Sequence, residues 1–206
     1  GFVIAAGFIN TACLVLAPVA LFFICFYSLT KRFTDYTHVW LGVALALAPV
    51  GAWIAVKGGS MAELFQLWPL GQTLVPPLVL GLAVVFWLVG FDIIYAMQDF
   101  EFDRQQGLHS LVTAWGPSNA LTAAFLSHVV MIGLLLLYGL LLQFRIAFII
   151  GWLIILACLV FEHWIARKRS FKWINTAFFK LNALISSVFF AVVAAEILLP
   201  FFRRIP

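Results

Sequence analysis

The chain has 206 residues, 65% of them hydrophobic and 10% charged, with a mean hydropathy of +1.13. Soluble domains carry about a quarter charged residues and roughly half apolar ones, so this composition excludes one. The net charge of +4 clusters in connecting segments, which excludes an electrostatic nucleic-acid binder and makes the cations reporters of membrane topology.

Taken in chain order, the first apolar piece, residues 2–9, is too short to cross a bilayer and reads as the tail of a helix. The chain opens GFVIAAG, with no initiator Met, no basic leader region and no cleavage motif. It therefore reads as neither a native start nor a signal peptide, and is expected to be incomplete at its N-terminus. Six apolar runs follow, over about 11–30, 38–57, 75–98, 119–142, 146–166 and 176–200. Each is near the ~20 residues a helix needs to cross about 30 Å of hydrocarbon. The expected fold is all-α: a polytopic transmembrane helical bundle forming a single membrane domain over residues 1–206. Cys13, Cys25 and Cys158 lie singly in these runs, without CxxC or Cys/His spacing, and read as small buried hydrophobes.

Alternate connections share a side of the membrane. Segments 30–37, 99–117 and 167–175 hold seven cations: Lys31, Arg32, Arg104, Arg167, Lys168, Arg169 and Lys172. The opposite side holds four, Lys57, Arg145, Arg203 and Arg204. The positive-inside rule places the 99–117 segment on the cytoplasmic face, with a bacterial inner membrane as the expected location.

Negative charge gathers in that same segment. Of eight carboxylates, four (Asp92, Asp99, Glu101 and Asp103) fall within GFDIIYAMQDFEFDRQQGLHS, residues 90–110. Wound as one helix, Asp99 and Asp103 fall about 20° to either side of Asp92, Tyr95 about 60° away and Glu101 about 180° away. Asp99 and Asp103 are i, i+4 neighbours whose like charges repel by a few tenths of a kcal/mol, a repulsion that a bound cation relieves. Asp92 sits about 10 Å deeper than Asp99. An ionisable group at that depth costs about 2.5–3.5 kcal/mol, and it marks a substrate or ion pathway unless it is paired within the bundle.

The donors are hard oxygens with no suitably spaced His or Cys. That disfavours zinc and copper and suits Mg²⁺, which keeps waters and is completed by substrate phosphates. Lys31 and Arg32, at a span end on the same side, suit the remaining phosphate charge. Carboxylates, Mg²⁺ and a Lys/Arg clamp inside an apolar bundle point to a diphosphate with a lipid tail.

The stretch DIIYAMQDFEFDRQQGLHS resembles the second aspartate-rich motif of the UbiA superfamily of intramembrane prenyltransferases, DxxYAxxDxxxDxxxGxxS. Asp92, Tyr95, Ala96, Asp99, Asp103, Gly107 and Ser110 carry the likeness. YSLTKRFT (27–34), GVALALAPVGAWIAV (42–56) and NTAFFKLN (175–182) are similar to its 4-hydroxybenzoate polyprenyltransferase branch. The resemblance implies a nine-helix bundle with a cavity open sideways to lipid. The six spans here would match the last six helices, and residues 2–9 the end of the third. It also implies Mg²⁺-dependent transfer of a polyprenyl group from polyprenyl diphosphate to a small aromatic acceptor, 4-hydroxybenzoate, in ubiquinone or menaquinone biosynthesis.

By position in that motif, Asp99 and Asp103 would ligate Mg²⁺. Asp92 and Tyr95 would line the reaction cavity, Lys31 would contact diphosphate, and Arg32 is a candidate for the acceptor's carboxylate; these four are the catalytic candidates. Ser110 and Asn175 join Lys31 and Arg32 as substrate-binding positions. The family's first motif, NDxxDxxxD, is not among these residues, so the stretch is expected to hold half of a metal site and to be inactive alone.

Two other readings stand beside this one. The chain would be a truncated, non-catalytic relative serving as a structural or quinone-binding subunit of a membrane complex, or a proton-coupled transporter built on Asp92. Among weaker signals, His109 reads as a loop histidine or a diphosphate helper, and His128 as a packing or interhelical hydrogen-bonding residue. Glu162 and His163 read as a local polar cluster with Arg167. Asn182 shares a helix face with Asn175 and faces either the cavity or another helix. Glu196 has no assigned role.

Overall fold

The structure, a computed structural model, describes residues 1–58, 73–167 and 177–199, and all of their regular structure is helical. Helix α1 (Phe2–Ile9) leads into α2 (Thr11–Phe26), which continues as a 3-10 turn over Tyr27–Arg32. Then come α3 (Thr37–Lys57), α4 (Val75–Ala96), the short α5 (Phe100–Gln105), α6 (Leu111–Leu141), α7 (Ile146–Arg167) and α8 (Asn182–Leu198). Asn10 makes the first junction. Its side-chain oxygen accepts the Cys13 N–H at 2.8 Å, capping α2, and its amide donates to the Ile54 carbonyl of α3 at 3.0 Å.

Among the described residues, six stretches are long and apolar enough to cross a membrane: Thr11–Arg32, Thr37–Lys57, Val75–Ala96, Leu111–Leu141, Ile146–Arg167 and Phe179–Leu198. The chain is thus an integral membrane helical bundle, and the expected spans recur with shifts of a few residues, with one exception. Helix α6 starts at Leu111, well before the expected 119. Gly116 stands at φ 78°, ψ 157°, followed by Pro117, so α6 is a short piece and a long crossing piece joined at a kink. The sustained apolar run begins only past the proline, which hid the first piece.

Between helices in lipid, apolar surface alone gives little drive, and close backbone approach with interhelical hydrogen bonds takes its place. Helix α4 is central, packing most extensively on α6 and α3. A Cβ on Gly42 would lie 3.0 Å from the Val85 carbonyl oxygen, and one on Gly81 would lie 3.2 Å from the Ala46 carbonyl oxygen. Gly42 and Ala46 on α3 therefore face Gly81 and Val85 on α4, two small-residue steps that bring antiparallel backbones together. Gly42→Val is expected to destabilise the detergent-solubilised protein by ~1–3 kcal/mol through overpacking. Gly51→Ala, whose Cβ would meet nothing within 4 Å, should leave the unfolding midpoint equal or slightly higher in the same thermal scan.

Glu196, left without a role by the sequence, is 3% exposed. Its Oε1 accepts the backbone N–H groups of Arg145 and Phe148, each at 3.0 Å. A side chain of α8 thus satisfies donors at the start of α7 that no helical carbonyl can reach. Glu196→Ala strands those donors and is expected to cost about 1–3 kcal/mol. Glu196→Gln keeps a carbonyl oxygen, and its thermal midpoint should fall less.

One buried cluster underlies the acidic segment: Val89, Ile93, Ile94 and Ala96 of α4, Leu111, Val112, Ala120 and Ala124 of α6, and Ala166 of α7. Met97 and Phe100 pack against it from the intervening chain, so both ends of the segment are fastened to one core.

Candidate active site

The acidic segment is not a single helix. Helix α4 ends at Ala96, and the N–H groups of Gln98 and Asp99 turn back to the carbonyls of Tyr95 and Ala96 at 3.0 and 3.1 Å. Asp99 then flanks the start of α5 with φ −93°, ψ 2°. The one-helix geometry that aligned Asp92 with Asp99 and Asp103 is therefore corrected, whereas Glu101 and Asp103 stay on opposite faces of α5, the first exposed and the second buried. Across the break the segment stays seated, because Met97 and Phe100 pack on the same core as Ile93 and Ile94.

Asp103 is 2% exposed. Its N–H donates to the Asp99 carbonyl at 2.7 Å, and its Oδ2 accepts from Lys31 Nζ at 2.9 Å. The lysine side chain is 39% exposed and the aspartate side chain 3%, so a cation at the surface meets a carboxylate sunk beneath it. Lys31 thereby offsets part of the Asp99/Asp103 repulsion. Asp99, Glu101 and Arg32 are all exposed.

Two further contacts tie the 30–36 loop to the acidic segment. The His109 N–H donates to the Lys31 carbonyl at 2.9 Å, and His109 Nδ1 lies 2.9 Å from Asp35 Oδ1. His109 is thus a loop-to-loop clasp. Gly107 turns the chain out of α5 at φ +65°, a conformation that favours glycine. Ser110 is buried and caps α6 reciprocally: its Oγ accepts the Thr113 N–H at 3.1 Å, while Thr113 Oγ1 accepts the Ser110 N–H at 2.9 Å.

Asp92 lies one turn inside the end of α4. Its Oδ2 is 2.6 Å from His38 Nδ1, so it is paired within the bundle. His38 is 1% exposed, and sequence reasoning passed over it. One signal was available: α3 and α4 are consecutive antiparallel spans, so the first turn of α3 and the last turns of α4 share a depth. His38 Nε2 and Gln98 Nε2 are buried without a hydrogen-bond partner among the described residues, two unanswered polar atoms at this end of the bundle. Tyr95, half-buried, follows Asp92 by three residues on α4. Asn182 accepts from Trp87 Nε1 at 3.0 Å, an interhelical bond from α8 to α4. Asn175, Lys168, Arg169 and Lys172 lie outside the described residues.

Among the described residues, no three His, Cys, Asp or Glu side chains converge as a cation cage. Asp99 and Asp103, one helical turn apart on the sequence, supply oxygen donors only. That donor set fits a cation that takes most of its ligands from water and phosphate.

The chain is similar to the 4-hydroxybenzoate octaprenyltransferase of Burkholderia multivorans, 29% identical over 193 residues, covering 93% of this chain and 61% of that protein. It is also similar to that of Burkholderia vietnamiensis, 30% identical over 190 residues, covering 92% and 60%. The chain therefore spans about three fifths of the length of these curated relatives. In fold it matches the apo structure of a UbiA homolog from Aeropyrum pernix, with a TM-score of 0.80 at 24% identity, over 95% of this chain and 68% of that one. The UbiA prenyltransferase family matches residues 1–184, the acidic segment and the Lys31 loop included, and the chain belongs to that family.

Proposed function

We propose that this protein transfers a polyprenyl group from polyprenyl diphosphate to a small aromatic acceptor, 4-hydroxybenzoate, in quinone biosynthesis. Mg²⁺ is its cofactor, and the acidic segment faces the cytoplasm from a bacterial inner membrane. The observation that carries this reading is the Lys31–Asp103 pair, in which a buried carboxylate and a half-exposed ammonium meet at the mouth of an apolar bundle. Relatives named for this reaction support the choice of acceptor.

Asp99 and Asp103 would hold Mg²⁺, which when bound neutralises charge on the departing diphosphate. Lys31 donates hydrogen bonds to the same diphosphate, and Arg32 meets either its outer oxygens or the acceptor's carboxylate. A cavity of about 750 Å³ with apolar walls lies along α1, α2 and α3 and is lined at one end by Tyr27, one turn before Lys31. It offers room for the prenyl tail. The C–O bond of the prenyl diphosphate breaks with its electron pair going to the diphosphate. A ring carbon ortho to the phenol forms the new C–C bond and then releases its proton, with Asp92 as the acceptor in this reading. Ser110, through its cap, holds the motif loop in register.

The test uses membranes carrying the full-length protein, supplied with a polyprenyl diphosphate and 4-hydroxybenzoate. Prenylated hydroxybenzoate is expected with Mg²⁺ and none when the metal is chelated. Absence of transfer with every phenolic acceptor tried would overturn the proposal in favour of a structural or quinone-binding subunit.

A further inference from the structure

A second polar assembly lies away from the acidic segment, between α6 and α7. His128 is 3% exposed and sits over Gly90 of α4, where an added Cβ would fall 2.2 Å from its ring. Glycine at that position makes the seat. His128 Nε2 lies 3.2 Å from the Trp87 carbonyl, and because a carbonyl can only accept, Nε2 carries the proton. With both rings neutral, His128 Nδ1 is then an acceptor and takes the N–H of His163 Nε2 at 2.9 Å. The relay leaves His163 with an unprotonated Nδ1, a hydrogen-bond acceptor.

His163 lines a cavity of about 390 Å³ together with Ser118, Leu121, Thr122, Phe125 and Arg167. Arg167 closes α7, and Ser118 opens the crossing piece of α6 just past Pro117. The cavity therefore lies at the ends of two spans, at the membrane–water boundary. Ala120, Ala124 and Ala166 face the core, whereas Ser118, Thr122 and Phe125 are exposed, so the cavity opens outward and not onto Asp92. The Thr122 hydroxyl donates to the Ser118 carbonyl at 3.2 Å, which leaves its oxygen lone pairs as acceptors. Among the described residues, the lining thus offers one fixed cation, one imidazole acceptor and two hydroxyls beside an aromatic ring.

We propose that this cavity binds the headgroup of one membrane phospholipid, with the phosphate on Arg167 and an N–H or O–H donor of the headgroup on His163 Nδ1. Guanidinium suits phosphate through paired donors, and phosphate is the anion that the bilayer itself supplies at this depth. The His163 acceptor selects headgroups that carry a donor near the phosphate. Phosphatidylethanolamine and phosphatidylglycerol qualify, whereas phosphatidylcholine has no such donor. Phe125 lies against the His163 ring, centroids 5.4 Å apart, and gives the glycerol backbone an apolar wall.

The experiment is native mass spectrometry of the full-length protein released from mild detergent with each lipid added in turn. Phosphatidylethanolamine and phosphatidylglycerol are expected to be retained about fivefold or more over phosphatidylcholine. Arg167→Gln should lower retention of all three about tenfold. His163→Phe should erase the preference while leaving phosphatidylcholine retention as it was. Equal retention of the three lipids by the unaltered protein overturns the proposal. Displacement of the lipid by millimolar inorganic phosphate also overturns it, since the site would then belong to a soluble anion. Should Arg167→Gln fail to fold, the comparison on the unaltered protein and the loss of preference in His163→Phe still decide.

Discussion

Asp103→Ala is expected to lower prenyl transfer by the full-length protein at least a hundredfold, and Lys31→Met to lower it by a similar factor. Both side chains are assigned to charge that builds up on the leaving diphosphate, and removing one such contact costs about 10²–10³ in turnover. The two substitutions should differ in one respect. Asp103→Ala should raise the Mg²⁺ concentration giving half-maximal rate, because it removes an oxygen donor, whereas Lys31→Met should not. Stability should barely change in Lys31→Met, since a pair with its cation 39% exposed contributes about 0–1 kcal/mol. The alternative is that Lys31 and Asp103 only hold two loops together. In that case a Lys31→Met/Asp103→Leu protein, which replaces the ion pair with an apolar contact, would regain activity. Initial rates of product formation alongside thermal midpoints separate the two accounts, and recovery in the double variant would remove the pair from the chemistry.

The spans were legible in the sequence because crossing hydrocarbon imposes a length and a composition that local residues must meet. The kink at Gly116–Pro117 was less so, because an apolar count cannot see a short helix ahead of a proline. In the acidic segment the residue types were readable but their register was not. A period of 3.6 holds only while the chain stays helical, and here it leaves the helix at Ala96 and re-enters one at Phe100. The closeness of Lys31 to Asp103 followed from counting membrane sides, although the two are 72 residues apart. Glu196 and the His128–His163 pair had no such global rule, and for His38 the shared depth with the end of α4 marked a level and not a partner. A single polar residue in an apolar run looks the same whether it packs, caps a distant helix or holds an acid, and only the tertiary neighbour decides. For Glu196 that neighbour is the start of α7, 48 and 51 residues away.

Asp92→Asn is expected to reduce kcat at least tenfold while leaving the Mg²⁺ dependence of the rate unchanged. The substitution keeps the shape but removes the carboxylate that would accept the ring proton. It also acts a turn inside α4, beyond the break that separates it from Asp99 and Asp103. His38→Leu should reduce kcat by a comparable factor with little change in KM for the prenyl diphosphate, because His38 is buried and reaches the reaction only through Asp92. The energetics of the pair make this prediction sharp. His38 Nε2 is buried with no partner among the described residues, and an unanswered polar atom of that kind costs about 1–3 kcal/mol. An imidazole kept under such a cost adds little as a structural brace. Replacing both members at once, as Asp92→Leu/His38→Leu, removes the polar atoms together and should leave stability equal or higher while transfer is lost. A double variant that unfolds many degrees early, combined with an Asp92→Asn protein of full activity, would show that the pair serves the fold and that another group takes the proton.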